Sequence, residues 1–241
     1  MSKKTKELPV HYVIPDTQVK PGVPTDHLSW IGKDILRRRP DVIVHLGDHW
    51  DMPSLSSYDK GTTSAEGRRY HEDIEAGNKA IKLITDPTER YNKNKPKDKQ
   101  YKPRWVFLHG NHENRISRAM ESDPALSGKI SLDDLDLAGW EVHPFLKPVV
   151  IDGVAYAHYF YNPMSGKPYG GQAATRLKTI GYSFIMGHQQ ILDYAMRPVG
   201  QGMQHALIAG ACYQHDEEYK GPQGNAHWRG VVVCHAVKEG S

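Results

Sequence analysis

Five polar side chains of the 241-residue sequence each follow a short apolar run: Asp16, Asp48, Asn111, His158 and His188. Carboxylates, amide oxygens and imidazoles are the groups that bind divalent metal ions in proteins. The apolar runs are rich in β-branched residues and predict strands. Loops beyond the carboxyl ends of such strands converge on one crevice in layered α/β folds. The spacing therefore predicts that the five side chains meet at a single metal site.

Taken one at a time, these residues have simpler explanations. An aspartate after a strand, such as Asp16, commonly forms a turn, and Asn111 lies in a Gly-Asn-His sequence suited to a left-handed turn. A lone histidine such as His158 is commonly a hydrogen-bonded core residue. Their shared placement at the ends of predicted strands is what favours one site.

The predicted elements alternate between strands and helices, which is typical of a layered α/β protein. Helical periodicity predicts helices over residues 25–39, 65–84 and 171–180, with proline following the first and Asp86-Pro87 closing the second. Strands are predicted over residues 10–14, 42–46, 105–108, 149–157 with a turn at Asp152-Gly153, 182–186, 206–209 and 230–236. With no internal repeat and no linker, a single domain over residues 1–241 is expected.

The five positions lie in recognisable blocks. The chain reads Asp16-Thr17-Gln18, Gly47-Asp48-His49-Trp50-Asp51, Gly110-Asn111-His112-Glu113, a separate His158, and Gly187-His188-Gln189-Gln190. Over residues 10–190 the sequence resembles the calcineurin-like metallophosphoesterase family, whose blocks are Asp-x-His, Gly-Asp-x-x-Asp, Gly-Asn-His-Glu or Asp, a lone His, and Gly-His-x-His. The resemblance implies a layered β-sandwich flanked by helices, and hydrolysis of a phosphate ester by water held on one or two divalent ions.

The resemblance also implies metal-binding roles. Asp48 would bridge two ions. The first ion would be completed by Asn111, His158 and His188. The second would be held by Asp16, Gln18, Asp48 and Gln190, where glutamine stands at both positions that carry histidine in the family. Such an oxygen-rich site favours Mn²⁺ or Mg²⁺ over Zn²⁺. Two ions with Mn²⁺ preferred are therefore expected, with Mg²⁺, Zn²⁺ or Fe as alternatives; a weak or lost second site is the competing interpretation.

Catalytic and substrate-binding roles follow from the same resemblance. His112 would protonate the leaving oxygen, and Asp51 would orient His112 through a hydrogen bond, unless Asp51 only forms a turn or cap. Arg115 would bind the phosphate with its planar guanidinium or lie on a helix surface, and His49 would contact substrate or simply pack. Met52 stands where phosphoprotein phosphatases carry a phosphate-binding arginine, which argues against a serine/threonine protein phosphatase.

The most basic stretch of the sequence runs from Arg90 to Arg104 and contains two prolines and almost no aliphatic residues. Such a stretch buries little surface. An exposed basic loop over residues 85–103 is therefore expected, either as a solvated insertion or as a contact for DNA or RNA. Near the C-terminus, Tyr213 or Trp228 could stack a base of the leaving group, or be ordinary edge and loop residues.

Composition is compatible with either an enzyme or a binding module: 38% of residues are hydrophobic and 24% are charged. No apolar stretch is long enough to span a membrane, and the first seven residues lack the apolar core of a signal peptide, so a cytoplasmic protein without a membrane partner is expected. The leading expectation is a phosphodiesterase or nuclease acting on nucleic acid or nucleotides. A phosphomonoesterase acting on a protein or small molecule, and a non-catalytic module that binds phosphate or nucleic acid, are the alternatives.

Overall fold

The computed structural model of the chain describes residues 8–57, 61, 63, 66–200, 202–217 and 228–241. Two mixed five-stranded sheets and four α-helices are found in these ranges. The strands are β1 (His11–Ile14), β2 (Val42–His45), β3 (Arg104–Leu108), β4 (Glu141–His143), β5 (Val149–Ile151), β6 (Val154–Ala157), β7 (Phe184–Met186), β8 (Leu192–Val199), β9 (Gly202–Ala209) and β10 (Val232–Cys234). The helices are α1 (Asp26–Arg38), α2 (Tyr70–Asn92), α3 (Asn114–Ser122) and α4 (Ala173–Ile180).

The first sheet has the order β10-β1-β2-β3-β4, and β1 to β4 run parallel to one another. All residues of β1 and β2 are buried, as expected for parallel strands that are covered on both faces. The second sheet has the order β5-β6-β7-β9-β8, in which β6, β7 and β9 are parallel. Both sheets therefore bring several strand ends to a common edge.

Three apolar clusters show how the elements are layered. Val13 and Val44 of the first sheet pack with Tyr156 and Ile185 of the second, so the two sheets face each other. On the outer face of the first sheet, side chains such as Ile14 pack with α1 and α2. On the outer face of the second sheet, strand residues pack with Ala173 and Leu177 of α4. Helices thus cover both outer faces of the paired sheets.

Most predicted elements are confirmed within a few residues. Helix α1 ends where Arg39 adopts a left-handed conformation and its N–H bonds to the Ile35 carbonyl. The Asp152-Gly153 turn joins antiparallel β5 and β6, with φ of +48° and +85°. Strands β4 and β8 were not predicted, since β4 contains a single apolar residue and is largely exposed, and β8 alternates between exposed and half-buried positions.

The prediction that a helix closes at Asp86-Pro87, with a basic loop from residue 85, is wrong. Helix α2 continues through Pro87 to Asn92. Proline inside a helix costs about 3 kcal/mol, but α2 lies close against α1: a Cβ on Gly32 would meet the carbonyl oxygens of Leu83 and Ile84 at 2.7 and 2.6 Å. Close helix packing therefore outweighs the local signal, and the basic stretch outside the α-helix is confined to residues 93–103, with one 3-10 turn at Lys97–Lys99.

Among the residues described, no helix combines the length and the hydropathy needed to cross a membrane.

Candidate metal centre

The loops that follow five strands carry the five predicted ligands. Asp16 follows β1, Asp48 follows β2 and Asn111 follows β3 in the first sheet, and His158 and His188 follow β6 and β7 in the second. Backbone hydrogen bonds join these loops: the Gln18 N–H donates to the Asp48 carbonyl at 2.8 Å, and the Gly187 N–H donates to the His158 carbonyl at 3.1 Å. The structure thus brings the carboxyl ends of both sheets to one place.

Three side chains at this place form a cluster that could hold a metal ion. One oxygen of Asp48 and one ring nitrogen each of His158 and His188 all lie within 4.8 Å of one another. Asp48 and His158 are buried and His188 is half-buried. An acidic oxygen and two imidazole nitrogens at this spacing match the ligand chemistry of a divalent transition metal.

Asn111 adds a fourth side chain to this cluster, and hydrogen bonds fix the orientation of the His158 ring. Nδ1 of His158 lies 2.9 Å from the Leu46 carbonyl oxygen and so donates its proton there. Its Nε2 lies 2.9 Å from Oδ1 of Asn111 and 3.3 Å from Oδ2 of Asp48. Two oxygen acceptors therefore face the same ring nitrogen, which needs either a second proton on His158 or a cation among the three atoms.

Besides the shared Asp48, three residues were predicted for the second ion, and they lie beside this cluster. Oδ1 of Asp16 accepts a hydrogen bond from the His188 N–H at 3.0 Å. Oδ2 of Asp16 and Oε1 of Gln18 are buried without a hydrogen-bond partner among the residues that the structure describes. Oε1 of Gln190 accepts from the Tyr213 hydroxyl at 2.8 Å, which leaves one of its lone pairs. Buried acceptors without donors are costly, and a bound cation would satisfy them.

The backbone at the cluster is strained in a way that positions the ligands. Gln18, Asp48, His188 and Gln190 all have positive φ, between +37° and +68°, a region that non-glycine residues rarely adopt. Such conformations persist only where the surrounding structure enforces them, and they concentrate at functional sites. The strain thus falls on four of the predicted ligands.

Two glycines of the motifs allow the loops to approach the carboxylates. A Cβ on Gly110 would lie 2.1 Å from Oδ1 of Asp48, and a Cβ on Gly187 would lie 2.4 Å from Oδ1 of Asp16. Neither distance is physically possible for a side chain. These positions therefore require glycine to maintain the present arrangement of Asp48 and Asp16.

Glu113 fixes the loop that contains Asp48. Its Oε2 accepts from the N–H groups of Asp48 and Gly110 at 3.0 and 2.7 Å. Its Oε1 accepts from those of His49 and Trp50 at 2.6 and 3.0 Å. One buried carboxylate thus binds four backbone donors and joins the loops after β2 and β3. The Gly-Asn-His-Glu motif contains this glutamate, but its role depends on contacts between two loops that are distant in sequence.

His112 lies next to the cluster and is held by Asp51. Nδ1 of His112 is 2.7 Å from Oδ1 of Asp51, and Nε2 is 3.7 Å from Oδ2 of Asp48. The other oxygen of Asp51 lies 3.2 Å from Nζ of Lys20, which also pairs with Glu217 at 2.6 Å. Lys20 and Glu217 were not predicted, because neither belongs to a recognisable motif. Nε2 of His112 therefore faces the cluster.

Arg115 lies beside His112. Nη1 donates to the backbone carbonyls of Asp51 and Met52 at 2.7 and 3.1 Å, and Nη2 is 3.3 Å from Nε2 of His112. Only 11% of the Arg115 side chain is exposed. Of the two predicted alternatives, a position on the helix surface is therefore excluded.

Burial and the charges within the cluster shift the pKa values of its side chains. Burial opposes protonation of His158, but the Asp48 charge outweighs it and raises the pKa of His158 to about 9. Burial also opposes the imidazolium of His112, and the charges of Asp48 and Asp51 again raise its pKa. Burial raises the pKa of Asp16 to about 6, and Asp48 adds to the shift. Burial lowers the pKa of His188 to about 4, and His158 adds to the effect. His158 and Asp16 thus hold protons more readily than usual, at positions that a cation would neutralise, whereas His188 favours the neutral form that can bind a metal ion.

The prediction that His49 contacts substrate is wrong. His49 is fully buried, and its Nε2 lies 3.1 Å from the Gly77 carbonyl, to which it donates. Its Nδ1 therefore accepts from the Thr17 hydroxyl at 2.7 Å, and Thr17 accepts from Nε2 of His45 at 3.2 Å. Because both ring nitrogens of His49 are used inside the protein, none is available to a ligand.

The prediction that Tyr213 stacks a base is also wrong, because its ring is fully buried and its hydroxyl is bonded to Gln190. Trp228 is 38% exposed and packs against the backbone of Gly210 and Gly230. Residues 225–227, immediately before Trp228, lie outside the described residues. The aromatic rings that contact the metal cluster are instead Tyr159, 4.8 Å from the ring of His188, and Phe145, 6.4 Å from the ring of His158.

No protein-family model and no curated protein matches the chain.

Proposed function

We propose that this protein is a metal-dependent phosphoesterase. The observation that carries the proposal is the convergence of Asp48, His158 and His188 within 4.8 Å, with His112 beside them and held by Asp51. The motif resemblance to calcineurin-like metallophosphoesterases and the paired, helix-covered sheets support the same proposal. A fold alone does not specify a reaction, so the proposal is based on the site.

The donor set fits divalent cations. One ion would be held by Asp48, Asn111, His158 and His188. A second would be held by Asp16, Gln18, Asp48 and Gln190, and the unpartnered oxygens of Asp16 and Gln18 support this assignment. A bound divalent ion would supply an acidified water and positive charge for the phosphoryl oxygens. With a carboxylate shared and two amides in the second site, Mn²⁺ or Mg²⁺ fits better than Zn²⁺.

The protein's own residues would then position and protonate the substrate. Asp51 fixes Nδ1 of His112, so the Nε2 proton is directed toward the metal cluster, where a leaving oxygen would accept it. The Arg115 guanidinium, 3.3 Å from that nitrogen, would bind a phosphoryl oxygen. The charges of Asp48 and Asp51 raise the pKa of His112 above its usual range, which favours the protonated ring that a general acid requires.

We propose a phosphodiester as the substrate, with nucleic acid or nucleotides as the leading class. The absence of an arginine at Met52 supports a diester over a phosphorylated protein. The basic stretch adjoins the start of β3, whereas the cluster lies beyond the end of that strand, so the stretch does not line the site where a diester would react. A phosphomonoester remains the second candidate, since the partly buried Arg115 could bind a dianionic phosphate.

Hydrolysis of bis(p-nitrophenyl) phosphate and of p-nitrophenyl phosphate, each with Mn²⁺ supplied, tests both candidates. We expect turnover of the diester, and loss of turnover in Asp48→Asn but not in the matched control Asp26→Asn, whose side chain is exposed. Turnover of the monoester alone would replace the diester proposal. A wild-type protein that binds Mn²⁺ but hydrolyses neither compound would support the non-catalytic module instead.

A further inference from the structure

A loop of residues 93–102, here called the lysine loop, carries five of the protein's lysines and one acidic residue, Asp98. The lysines are Lys93, Lys95, Lys97, Lys99 and Lys102. Seven lysines and arginines lie between Arg90 and Arg104, whereas the formal net charge of the whole chain is only +3. Positive charge is therefore concentrated at one place on the surface.

The lysine loop is held in a fixed conformation although it contains no long helix or strand. The Asn92 side chain donates to the Tyr101 carbonyl at 2.7 Å and accepts from the Tyr101 N–H at 2.9 Å, which closes the loop at its base. The Gln100 amide donates to the Lys95 carbonyl at 3.0 Å. The Tyr101 hydroxyl donates to the Pro40 carbonyl at 2.6 Å and anchors the loop to the first sheet. A loop that is ordered before binding loses less entropy when it binds.

The charges of the lysine loop are available to a partner. Four of its five lysines are exposed and Lys95 is half-buried, with its ammonium 4.3 Å from the centre of the Tyr91 ring. Within the described ranges, no ion pair joins any of the five to a carboxylate. Neighbouring arginines differ in this respect, because Arg90 pairs with Asp86 and Arg104 with Glu141. The unneutralised charge thus resides in the loop lysines.

The position of the lysine loop separates it from the candidate metal centre. The loop precedes Arg104, the first residue of β3, whereas Asn111 follows the last, and five strand residues span about 16 Å. Tyr101 contacts Pro40, which likewise precedes β2, whereas Asp48 follows that strand. The loop and the metal cluster therefore lie at opposite ends of the same strands.

We propose that the lysine loop is a docking surface for the phosphate backbone of nucleic acid, separate from the metal centre. Lysines on flexible stems are point charges suited to phosphates at varying positions. The loop exposes no large apolar side chain, as insertion into a membrane interface would require. Binding by this surface is independent of base sequence, because phosphate contacts carry no sequence information.

Fluorescence anisotropy with a labelled 20-nucleotide DNA duplex tests the proposal, using the full chain in EDTA so that no hydrolysis occurs. We expect binding that weakens steeply between 50 and 200 mM KCl. A triple variant, Lys95→Gln with Lys97→Gln and Lys99→Gln, should bind at least tenfold more weakly at 100 mM KCl. Its salt-dependence slope, log K against log [KCl], should be shallower by about 2 to 3, since each lost phosphate contact removes about 0.9.

A matched control replaces three exposed lysines elsewhere, Lys129→Gln with Lys167→Gln and Lys178→Gln. It changes the net charge equally and should retain most of the affinity and slope. Equal weakening by both triple variants would show only a general charge effect and overturn the proposal, as would the absence of salt-dependent binding by the wild type. Binding to phosphatidylserine vesicles but not to DNA would assign the surface to a membrane instead. Hydrolysis of bis(p-nitrophenyl) phosphate measures the metal centre separately, and its failure leaves the DNA result unaffected.

Discussion

Oδ1 of Asp51 lies 2.7 Å from Nδ1 of His112, and both side chains are buried beside the metal cluster. His112 can donate a proton from its other ring nitrogen. The Asp51 carboxylate orients the His112 ring and favours its charged form. His112→Asn should lower kcat for an activated diester by about 10² to 10⁴-fold, the usual contribution of a general acid. Asp51→Asn should lower kcat less, because the ring remains but its orientation is less restrained.

Both variants should bind Mn²⁺ as tightly as the wild type by isothermal titration calorimetry, since neither residue is among the proposed ligands. His235→Asn, at an exposed position, serves as the control for loss of a histidine. An unchanged kcat in His112→Asn would remove the residue from the proposed chemistry.

Glu113→Gln should destabilise the protein and weaken metal binding. The Glu113 carboxylate accepts hydrogen bonds from four backbone N–H groups, two on each oxygen. In the glutamine variant one of these oxygens is replaced by an NH₂ group, which cannot accept, so at least two of the four hydrogen bonds are lost. A loss of about 3 kcal/mol in the free energy of unfolding is expected, since hydrogen bonds to charged groups contribute about 1.5 to 3 kcal/mol each. Urea denaturation followed by tryptophan fluorescence measures it, with the exposed Glu121→Gln as control. Equal stability of the two variants would contradict the role assigned to Glu113.

Gly110→Ala should impair metal binding and also destabilise the fold. The new methyl group would meet Oδ1 of Asp48 at 2.1 Å and the Asp48 backbone nitrogen at 2.5 Å, so both the carboxylate and the loop after β2 must shift. Calorimetric titration with Mn²⁺ should show at least tenfold weaker binding. Gly170→Ala is the matched control, because a Cβ there has nothing within 4 Å. Wild-type affinity in Gly110→Ala would mean that Asp48 is not held as described.

The contribution of His11 and His27 to stability should fall as the pH decreases from 7.5 to 5. Burial lowers the pKa of both histidines below the ordinary value of 6.5, so folding disfavours their protonated forms and unfolding lets them bind protons more readily. The contribution of the two histidines to the free energy of unfolding is therefore complete above pH 6.5 and is lost as the pH falls through their folded pKa values. The loss is about 1.4 kcal/mol for each pH unit by which a folded pKa lies below 6.5.

Urea denaturation in EDTA at pH 7.5, 6 and 5 measures this dependence without metal linkage. The double variant His11→Gln with His27→Gln should lose less stability over this range than the wild type. Equal slopes for the two proteins would show that these histidines do not contribute to the acid sensitivity.

The elements and the ligand positions could be predicted because their signals are local. Buried strands are short β-branched runs, and the polar residue after each run marks the edge where loops converge. The order of Asp48, Asn111, His158 and His188 along the chain was therefore sufficient to predict one site. The role of Asp51 as the partner of His112 was instead suggested by the resemblance to a known family, because no local signal distinguishes Asp51 from a turn or cap aspartate.

Features that depend on tertiary contacts could not be predicted. His49 lies next to Asp48 in sequence, yet its ring points inward because Thr17 and the Gly77 carbonyl bind both nitrogens. Glu113 gained its role only when two loops were brought together, and Lys20 reaches Asp51 from a third. Pro87 is a strong local stop signal that packing between α1 and α2 overrides.

We propose above that Asp48, Asn111, His158 and His188 together hold a divalent cation. Anomalous diffraction from crystals grown with Mn²⁺ measures this directly. We expect a manganese peak within about 2.3 Å of a donor atom from each of the four residues. An anomalous map with no peak among these four side chains, at a Mn²⁺ concentration that supports binding in solution, would contradict it.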